Sequence, residues 1–248
     1  MRNRPAGTTP RGAASEEQAA RWVRGMFASV AHRYDFLNHL LSFQMDRYWR
    51  ARAVRRVRDI LTRPDARALD LCCGTGDLML ALARSSRAAV VGSDFCQPML
   101  EIAAGKIAAR GSRAVLLAAD ALRLPLPDGS VDLATVAFGL RNFANYETGL
   151  REMRRVLKSG GTAAILEFTR PPNAAFAALY NFYARRILPW IGNTISGSND
   201  AYTYLPDSVR KFPDAPGLAG EMRRIGFESV EFEYMTGGIV ALHVGTAP

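Results

Sequence analysis

The stretch Ala68-Leu69-Asp70-Leu71-Cys72-Cys73-Gly74-Thr75-Gly76-Asp77 decides how the rest of the chain is read. Ala68–Leu71 is a short strand-like run that ends in a turn of small residues, and Leu78–Ala83 continues with helical character. Strand, glycine turn and helix in that order open a βαβ unit. Glycines in such a turn let the backbone approach a ligand closely. The free amides at the start of the following helix favour polar or anionic groups. The turn is not a dinucleotide fingerprint, because Met79 stands where the third glycine would be, and no lysine follows to make a phosphate loop. What remains is an acid, Asp70, ahead of a small-residue turn, and an acid there suits a cationic ligand as well as a ribose.

Outward from this stretch the rhythm repeats. Ala88–Val91 is a second apolar run, closed by Gly92-Ser93-Asp94, and Pro98–Ala109 reads as helix. Ala114–Ala119 is strand-like, and Val131–Ala137 is a fourth run after the turn Pro127-Asp128-Gly129. Tyr146–Leu157 carries Leu150, Met153, Arg154 and Leu157 at helical spacing, Gly160-Gly161 is expected to stop it, and Thr162–Phe168 is a fifth strand. Alternating strands and helices predict an α/β fold with a parallel sheet. Ser229–Tyr234 and Ile239–Val244 flank Gly237-Gly238, which predicts an antiparallel pair closing the sheet. Asp94 ends the second strand, 18 residues beyond Gly76, where an acid accepts bonds from ribose hydroxyls. Asp120 ends the third, placed to accept from an adenine amino group. A strand-end Asp also serves simply as a turn or capping residue. Three of them beside a glycine turn point to an adenosyl ligand carrying positive charge.

The chain has 248 residues, 48% hydrophobic and 22% charged, which fits one large globular domain and excludes a disordered, collagenous or coiled-coil chain. Its longest uncharged run, Tyr234–Pro248, has 15 residues, short of the ~20 that a membrane-spanning helix needs. Residues 1–15 have no apolar core and read as a flexible tail rather than a secretory signal. Three cysteines, two of them adjacent, cannot build a disulfide framework, so a reducing, cytoplasmic compartment is expected. The net charge of +9 is uneven: residues 1–63 hold 13 Lys/Arg against 5 acids, while residues 64–248 hold 19 against 18. Ser15 followed by Gln18 is a capping-box signature. Met45, Trp49, Ala53, Val57 and Ile60 recur at helical spacing with arginines between them, so residues 16–63 read as a basic helical cap on a core of residues 64–248. Such a surface attracts anionic lipid or nucleic acid; the plainer reading is a solvated arginine face.

Several further segments carry a resemblance. Phe27-Ala28-Ser29-Val30-Ala31-His32-Arg33-Tyr34-Asp35-Phe36-Leu37-Asn38, Ser42 through Trp49 (SFQMDRYW), Phe138-Gly139-Leu140-Arg141-Asn142-Phe143, Leu166-Glu167-Phe168 with Pro171, Tyr202-x-Tyr204-Leu205-Pro206-x-Ser208 and Phe212-Pro213 are similar to signatures of one family. It is the quinone-biosynthesis C-methyltransferases of the ubiE/menG type, within the class I S-adenosylmethionine-dependent methyltransferases. The resemblance covers about residues 22–245. It implies a Rossmann-like, seven-stranded, mostly parallel sheet with helices on both faces, an N-terminal helical cap and a helical insertion at about 171–225. The cofactor it implies is S-adenosyl-L-methionine, held by Asp70, Gly74, Thr75, Gly76, Asp94, Phe95, Asp120 and Ala121. No metal is expected. The chain departs from the pattern at Cys72, where the general turn has glycine, and at Ala137, where some relatives carry a cofactor-touching serine. Relatives often have His in place of Asp46 and Gly in place of Gln44.

The implied reaction is methylation of a quinol ring carbon. It needs a group that stabilises a phenolate and a group that receives a proton. Arg141, permanently cationic, is the candidate for the first, with Asn142 to orient the ring oxygen or a water. Tyr34, Asp35 and His32 are placed over the pocket by the resemblance, and His32 has a suitable ordinary pKa for a proton relay. Demethylmenaquinol is the first choice of substrate and a benzoquinol precursor of ubiquinone the second. The polyprenyl tail implies a greasy channel. Phe176, Leu179, Tyr180, Tyr183, Ile187 and Trp190 form a helical stripe suited to it, though such a stripe is also ordinary core. Arg185 and Arg186 suit peripheral docking on anionic membrane, and Gly192–Ser198 is a candidate lid. An oligomer is left open and no nucleic acid is expected, although an RNA methyltransferase on the same core is the rival reading. A third is an adenosyl-binding protein without turnover.

Overall fold

The computed structural model describes residues 7, 10, 13–183 and 200–248. Seven strands form one sheet: β1 (Ala68–Leu71), β2 (Val90–Asp94), β3 (Val115–Ala118), β4 (Val131–Ala137), β5 (Leu157–Phe168), β6 (Glu228–Met235) and β7 (Val240–Thr246). Their order is β3-β2-β1-β4-β5-β7-β6. β1 to β5 run parallel, and β7 enters antiparallel between β5 and β6. The helices are α1 (Glu16–Leu41), α2 (Met45–Arg56), α3 (Arg58–Leu61), α4 (Asp77–Ser85), α5 (Gln97–Ala109), α6 (Tyr146–Val156), α7 (Ala174–Phe182), α8 (Asp200–Lys211) and α9 (Ala215–Ile225).

Period-two alternation gives the sheet two apolar faces. Leu69, Leu71, Ala134, Val136, Ala163 and Ile165 pack on α6 and α9. Ala68, Leu133, Ala164 and Leu166 pack on α2 and α4. Asp70 and Thr135 fall on the second face and are register partners across β1 and β4. Strand order reverses between β1 and β4, and in open α/β sheets the ligand crevice opens beyond the carboxyl ends of the strands at that switch point.

β2 runs through Gly92-Ser93 and ends at Asp94, as expected, with Ser93 and Asp94 buried and Gly92 against Met79. Two local readings are corrected. The helix before β5 ends at Val156, ahead of Gly160-Gly161, because Leu157 is already extended and pairs with Val131. The two glycines lie instead in an irregular start of β5, where the Gly160 amide donates to the Ala247 carbonyl. The arginine-rich helix breaks at Val57 into α2 and α3.

At the N-terminus the Gln18 amide donates to Ser15 Oγ at 3.2 Å, and Gln18 Oε1 accepts from the Ala14 amide at 2.9 Å, so the cap closes one residue earlier than the standard box. The arginine surface is partly neutralised by β6: Arg52 meets Glu233 at 2.8 Å and Arg56 meets Glu231 at 3.1 Å. Among the described residues no helix is long and apolar enough to cross a membrane. α9 packs on the sheet with α6.

Two helical glycines separate packing from propensity. An added Cβ on Gly149, in α6, would lie 2.2 Å from the Phe143 ring, while one on exposed Gly105, in α5, meets nothing within 4 Å. Gly105→Ala is expected to stabilise by about 0.5–1 kcal/mol through backbone entropy. Gly149→Ala is expected to cost about 1–3 kcal/mol through overpacking, despite the same gain in propensity. Thermal unfolding of the two variants, moving the midpoint in opposite directions, checks this.

Candidate active site

Three connected spaces open at the switch point. One, about 760 Å³, lies over the ends of β1, β2 and β4. A second, about 1480 Å³ and mostly apolar, runs between α1, α2 and α7. A narrow cleft beside Asp70 and Gly74 makes the third. Tyr34 and Phe138 line all three. Their side chains therefore form the junction at which molecules filling the different spaces would meet.

The first space is built on the glycine turn. Gly74 has φ +54°, its amide donates to Asp94 Oδ2 at 2.9 Å, and the position a Cβ would take is open space. A side chain there would intrude where a ligand fits. Asp94 Oδ1 accepts from the Cys96 amide at 2.8 Å, so this buried carboxylate holds both the turn and the start of α5. Each carboxylate oxygen has two lone pairs, which leaves acceptor capacity for a ligand. Burial raises its pKa against the opposing amides of Cys96 and Gly74. Asp120 is exposed at the rim, two residues beyond β3, and Oδ1 accepts from the Leu122 amide. Phe95, Ala121 and Asn142 complete this wall, and Asn142 Oδ1 is buried with no hydrogen-bond partner among the described residues.

Two residues expected at the cofactor stand apart from the first space. Gly76, φ +89°, lines none of the three spaces; it caps α4, and a Cβ there would press on Met79 and Ala103. Thr75 is buried, lines only the cleft, and donates to Asp35 Oδ1 at 2.5 Å while accepting from Lys106 at 3.2 Å. Lys106 also meets Asp35 at 2.6 Å and Asp77 at 2.7 Å, so α1 is tied through α5 to the turn.

Asp70 is 1% exposed; Thr135 Oγ1 donates to its Oδ1 at 2.7 Å, and Oδ2 has no hydrogen-bond partner among the described residues. Burial pushes its pKa up to about 7, against the Thr135 bond and the Arg50 charge. The Met79 amide is near enough to favour the charged form without reaching hydrogen-bond geometry. An orphaned buried carboxylate oxygen is costly unless a donor or cation meets it. Cys72, φ +49°, borders both this cleft and the first space. A β-carbon in the left-handed region costs about 1–2 kcal/mol, which accounts for the glycine of the general pattern. Burial holds its thiol neutral.

In the second space Arg141 is 7% exposed. Its Nη1 donates to Glu167 Oε1 at 2.8 Å and to the Phe138 carbonyl at 2.5 Å, and its guanidinium carbon lies 5.2 Å from the Phe168 ring centroid. Asn142 Nδ2 donates to the same Phe138 carbonyl at 3.2 Å. Burial raises the Tyr34 pKa despite the pull of Arg141, Asn38 and Arg50, so the phenol stays a donor at neutral pH.

His32 is not brought here: it is exposed and lines none of the spaces. Two residues along a helix turn about 200°, so with Tyr34 facing inward His32 faces out. The histidine near the site is His39, bonded to Asp46 at 2.7 Å. Ile187, Trp190, Arg185, Arg186 and the segment 192–198 lie outside the described residues. Leu179, Tyr180 and Tyr183 of the aromatic stripe do line the second space, as does Phe176. Sequence reasoning passed over Phe138, Arg50 and Glu167 as site residues. Phe138 has φ +58°, which no residue type signals, and only its place in the FGLRN stretch pointed to it.

Comparison with known proteins follows from this geometry. Among solved structures, the [4+2]-cyclase SpnF superposes with a TM-score of 0.66 at 19% identity over 95% of this chain and 98% of that one. Phosphoethanolamine N-methyltransferase 2 of Haemonchus contortus, in complex with S-adenosyl-L-methionine, gives 0.57 at 14% identity over 78% of this chain and 52% of that one. Likeness at such identity shows the architecture alone. Sequence relatives go further. A demethylmenaquinone methyltransferase of Thermus thermophilus is 50% identical over 90% of this chain and 100% of its own length, and one of Deinococcus radiodurans is 45% identical over 90% and 91%. A ubiquinone/menaquinone biosynthesis C-methyltransferase UbiE of a Geobacter species is 43% identical over 90% and 95%. Residues 13–247 match the model of the ubiE/COQ5 methyltransferase family, and the chain belongs to that family.

Proposed function

We propose that this methyltransferase moves the methyl group of S-adenosyl-L-methionine to a ring carbon of a polyprenylated quinol, with demethylmenaquinol as the substrate. The observation that carries the proposal is the meeting of the space over the strand ends, the cleft beside Asp70 and the large apolar space at Tyr34 and Phe138. The names of the relatives from Thermus and Deinococcus favour the naphthoquinol over a ubiquinone precursor. The residues present fit the cofactor: open space over Gly74 and an orphaned oxygen on Asp70. When bound, S-adenosyl-L-methionine supplies a sulfonium-activated methyl group.

In this reading Asp94 accepts from the ribose hydroxyls while holding the turn, and Asp120 and Ala121 meet the adenine at the rim. Phe95 packs against that end. Asp70 takes the cationic part of the amino-acid tail, which supplies its missing partner. Gly74 gives close backbone approach. Thr75 lines the cleft beside the amino-acid end, and Gly76 acts from behind by setting the turn. Arg141 faces the quinol and stabilises the phenolate that makes the ring carbon nucleophilic. Glu167 and the Phe138 carbonyl hold its guanidinium in place, and Asn142, sharing that carbonyl, orients the ring oxygen. Tyr34 donates a hydrogen bond at the junction. Holding methyl donor and ring carbon in line is the main source of rate.

The polyprenyl tail leaves along the second space, past Leu179 and Tyr183. Among its lining residues Phe43 and Leu179 are exposed, Phe43 by 74%, and the Phe43 and Tyr183 rings lie 6.1 Å apart. Exposed apolar clusters of this kind mark membrane or partner contacts, and a membrane-dissolved substrate favours peripheral contact with lipid. The expected cytoplasmic placement belongs to the same reading.

Incubation with methyl-labelled S-adenosyl-L-methionine and each quinol is expected to label the naphthoquinol; label appearing only in the benzoquinol reverses the substrate assignment. Arg141→Lys keeps a charge for buried Glu167 and is expected to bind cofactor within about threefold of wild type while losing turnover at least tenfold, read by calorimetry and initial rates. Asp94→Ala removes both the ribose acceptor and the Gly74 anchor, and cofactor affinity is expected to fall more than tenfold. Asp70 has a folded pKa above its ordinary value, so its ionisation works against the fold. The stability it confers is complete below about pH 4 and is lost as pH rises through about 7. Asp70→Asn is expected to flatten that slope in denaturant titrations of the ligand-free protein.

A further inference from the structure

The cleft beside the glycine turn carries a second charge that the reading above does not use. Two acids, Asp70 and Asp77, line it, and among the described residues Arg50 is its one cationic side chain. Lys106, a second cation beside the cleft, is taken up by Asp35, Asp77 and Thr75. Arg50 also lines the large apolar space, so it stands on the boundary between the two.

Its position is built, not incidental. Asp46, 3% exposed, accepts from Arg50 Nη1, from Ser42 Oγ at 2.7 Å and from His39 Nδ1 at 2.7 Å. Asp77 Oδ2 lies 3.9 Å from the same Nη1. One terminal nitrogen therefore carries the internal contacts, and among the described residues Nε and Nη2 have no hydrogen-bond partner. The guanidinium is planar and presents its donors as a fork matched to a carboxylate.

We infer that Arg50 anchors the α-carboxylate of the cofactor's amino-acid end, opposite Asp70, with Asp46 as the residue that positions it. The inference rests on the cofactor reading above and deepens it. A zwitterion needs both signs within one small cleft. Without Arg50 the two acids would repel the carboxylate, and the cleft would favour a simple amine. With it, the amino-acid end is read at both charged groups. The same anchor sets the depth at which the neighbouring sulfur sits, because the cleft and the nucleoside space share Cys72 and Gly74 as walls.

The test compares two neutral thioethers by calorimetry on the full chain. S-adenosylhomocysteine has the carboxylate, and 5′-deoxy-5′-(3-aminopropylthio)adenosine keeps the ammonium and lacks it. Wild type is expected to prefer the first by about 10–100-fold, the range of a charge-assisted hydrogen-bond pair. Arg50→Gln is expected to bring the two affinities within about threefold, chiefly by weakening the homocysteine compound. The double variant Arg50→Gln/Asp46→Asn, which does not leave the Asp46 carboxylate buried without its arginine, is expected to do the same while melting near wild type. Equal loss of both ligands, or an undiminished preference in the double variant, overturns the assignment of Arg50. Failure of wild type to bind either thioether overturns the cofactor reading instead.

Discussion

Everything at this site depends on how β1 and β4 end. Adjacent parallel strands leave the sheet at the switch point, and both chains turn there through the left-handed region, at Cys72 and at Phe138. The two turns touch: a Cβ on Gly139 would lie 2.7 Å from that of Cys72. A residue without a side chain is required where they cross. Turned this way, β1 delivers the glycine loop to one side of the crevice, and β4 delivers Phe138, Arg141 and Asn142 to the other. The Phe138 carbonyl then accepts from both Arg141 and Asn142, so strained backbone and polar side chains hold one another. Strain of this kind persists only where surrounding contacts over-determine it.

The buried charges follow the same economy of position. Arg141 with Glu167, Arg50 with Asp46 and His39, and Lys106 with Asp35 and Asp77 each place a cation against an acid in or near the crevice. Pairs taken from water gain little net stability, because desolvation offsets their attraction. Their use lies in orientation. Arg141 and Arg50 enter the crevice from different elements, a 3-10 turn after β4 and helix α2. The Lys106 network joins three helices, α1, α4 and α5, behind the glycine turn.

Much of this was open to reading in the residues alone. β1 and β4 are legible to the residue because each is a compact run bounded by sharp turns. β2 is less so: Gly92, Ser93 and Asp94 look like a turn, and pairing with β1 and β3 on either side keeps them in the strand. The acids at strand tips, the glycine turn and Arg141 are visible from their places after apolar runs. His32 and His39 show the limit. Both sit in one helix, and which of them faces inward depends on how α1 lies on the core, a tertiary fact that local spacing does not carry. Arg50 hides for a similar reason, as one arginine among five between residues 50 and 58. Its neighbours Arg52 and Arg56 reach outward to β6.

The shared wall at Phe138 has a wider consequence. Its ring stacks within 4.8 Å of Phe168 and 5.9 Å of Trp49, so it cannot move for one neighbour without the others. A change of volume at that ring reshapes all three spaces together, whereas a change at Leu179 or Tyr183 reaches the second space alone.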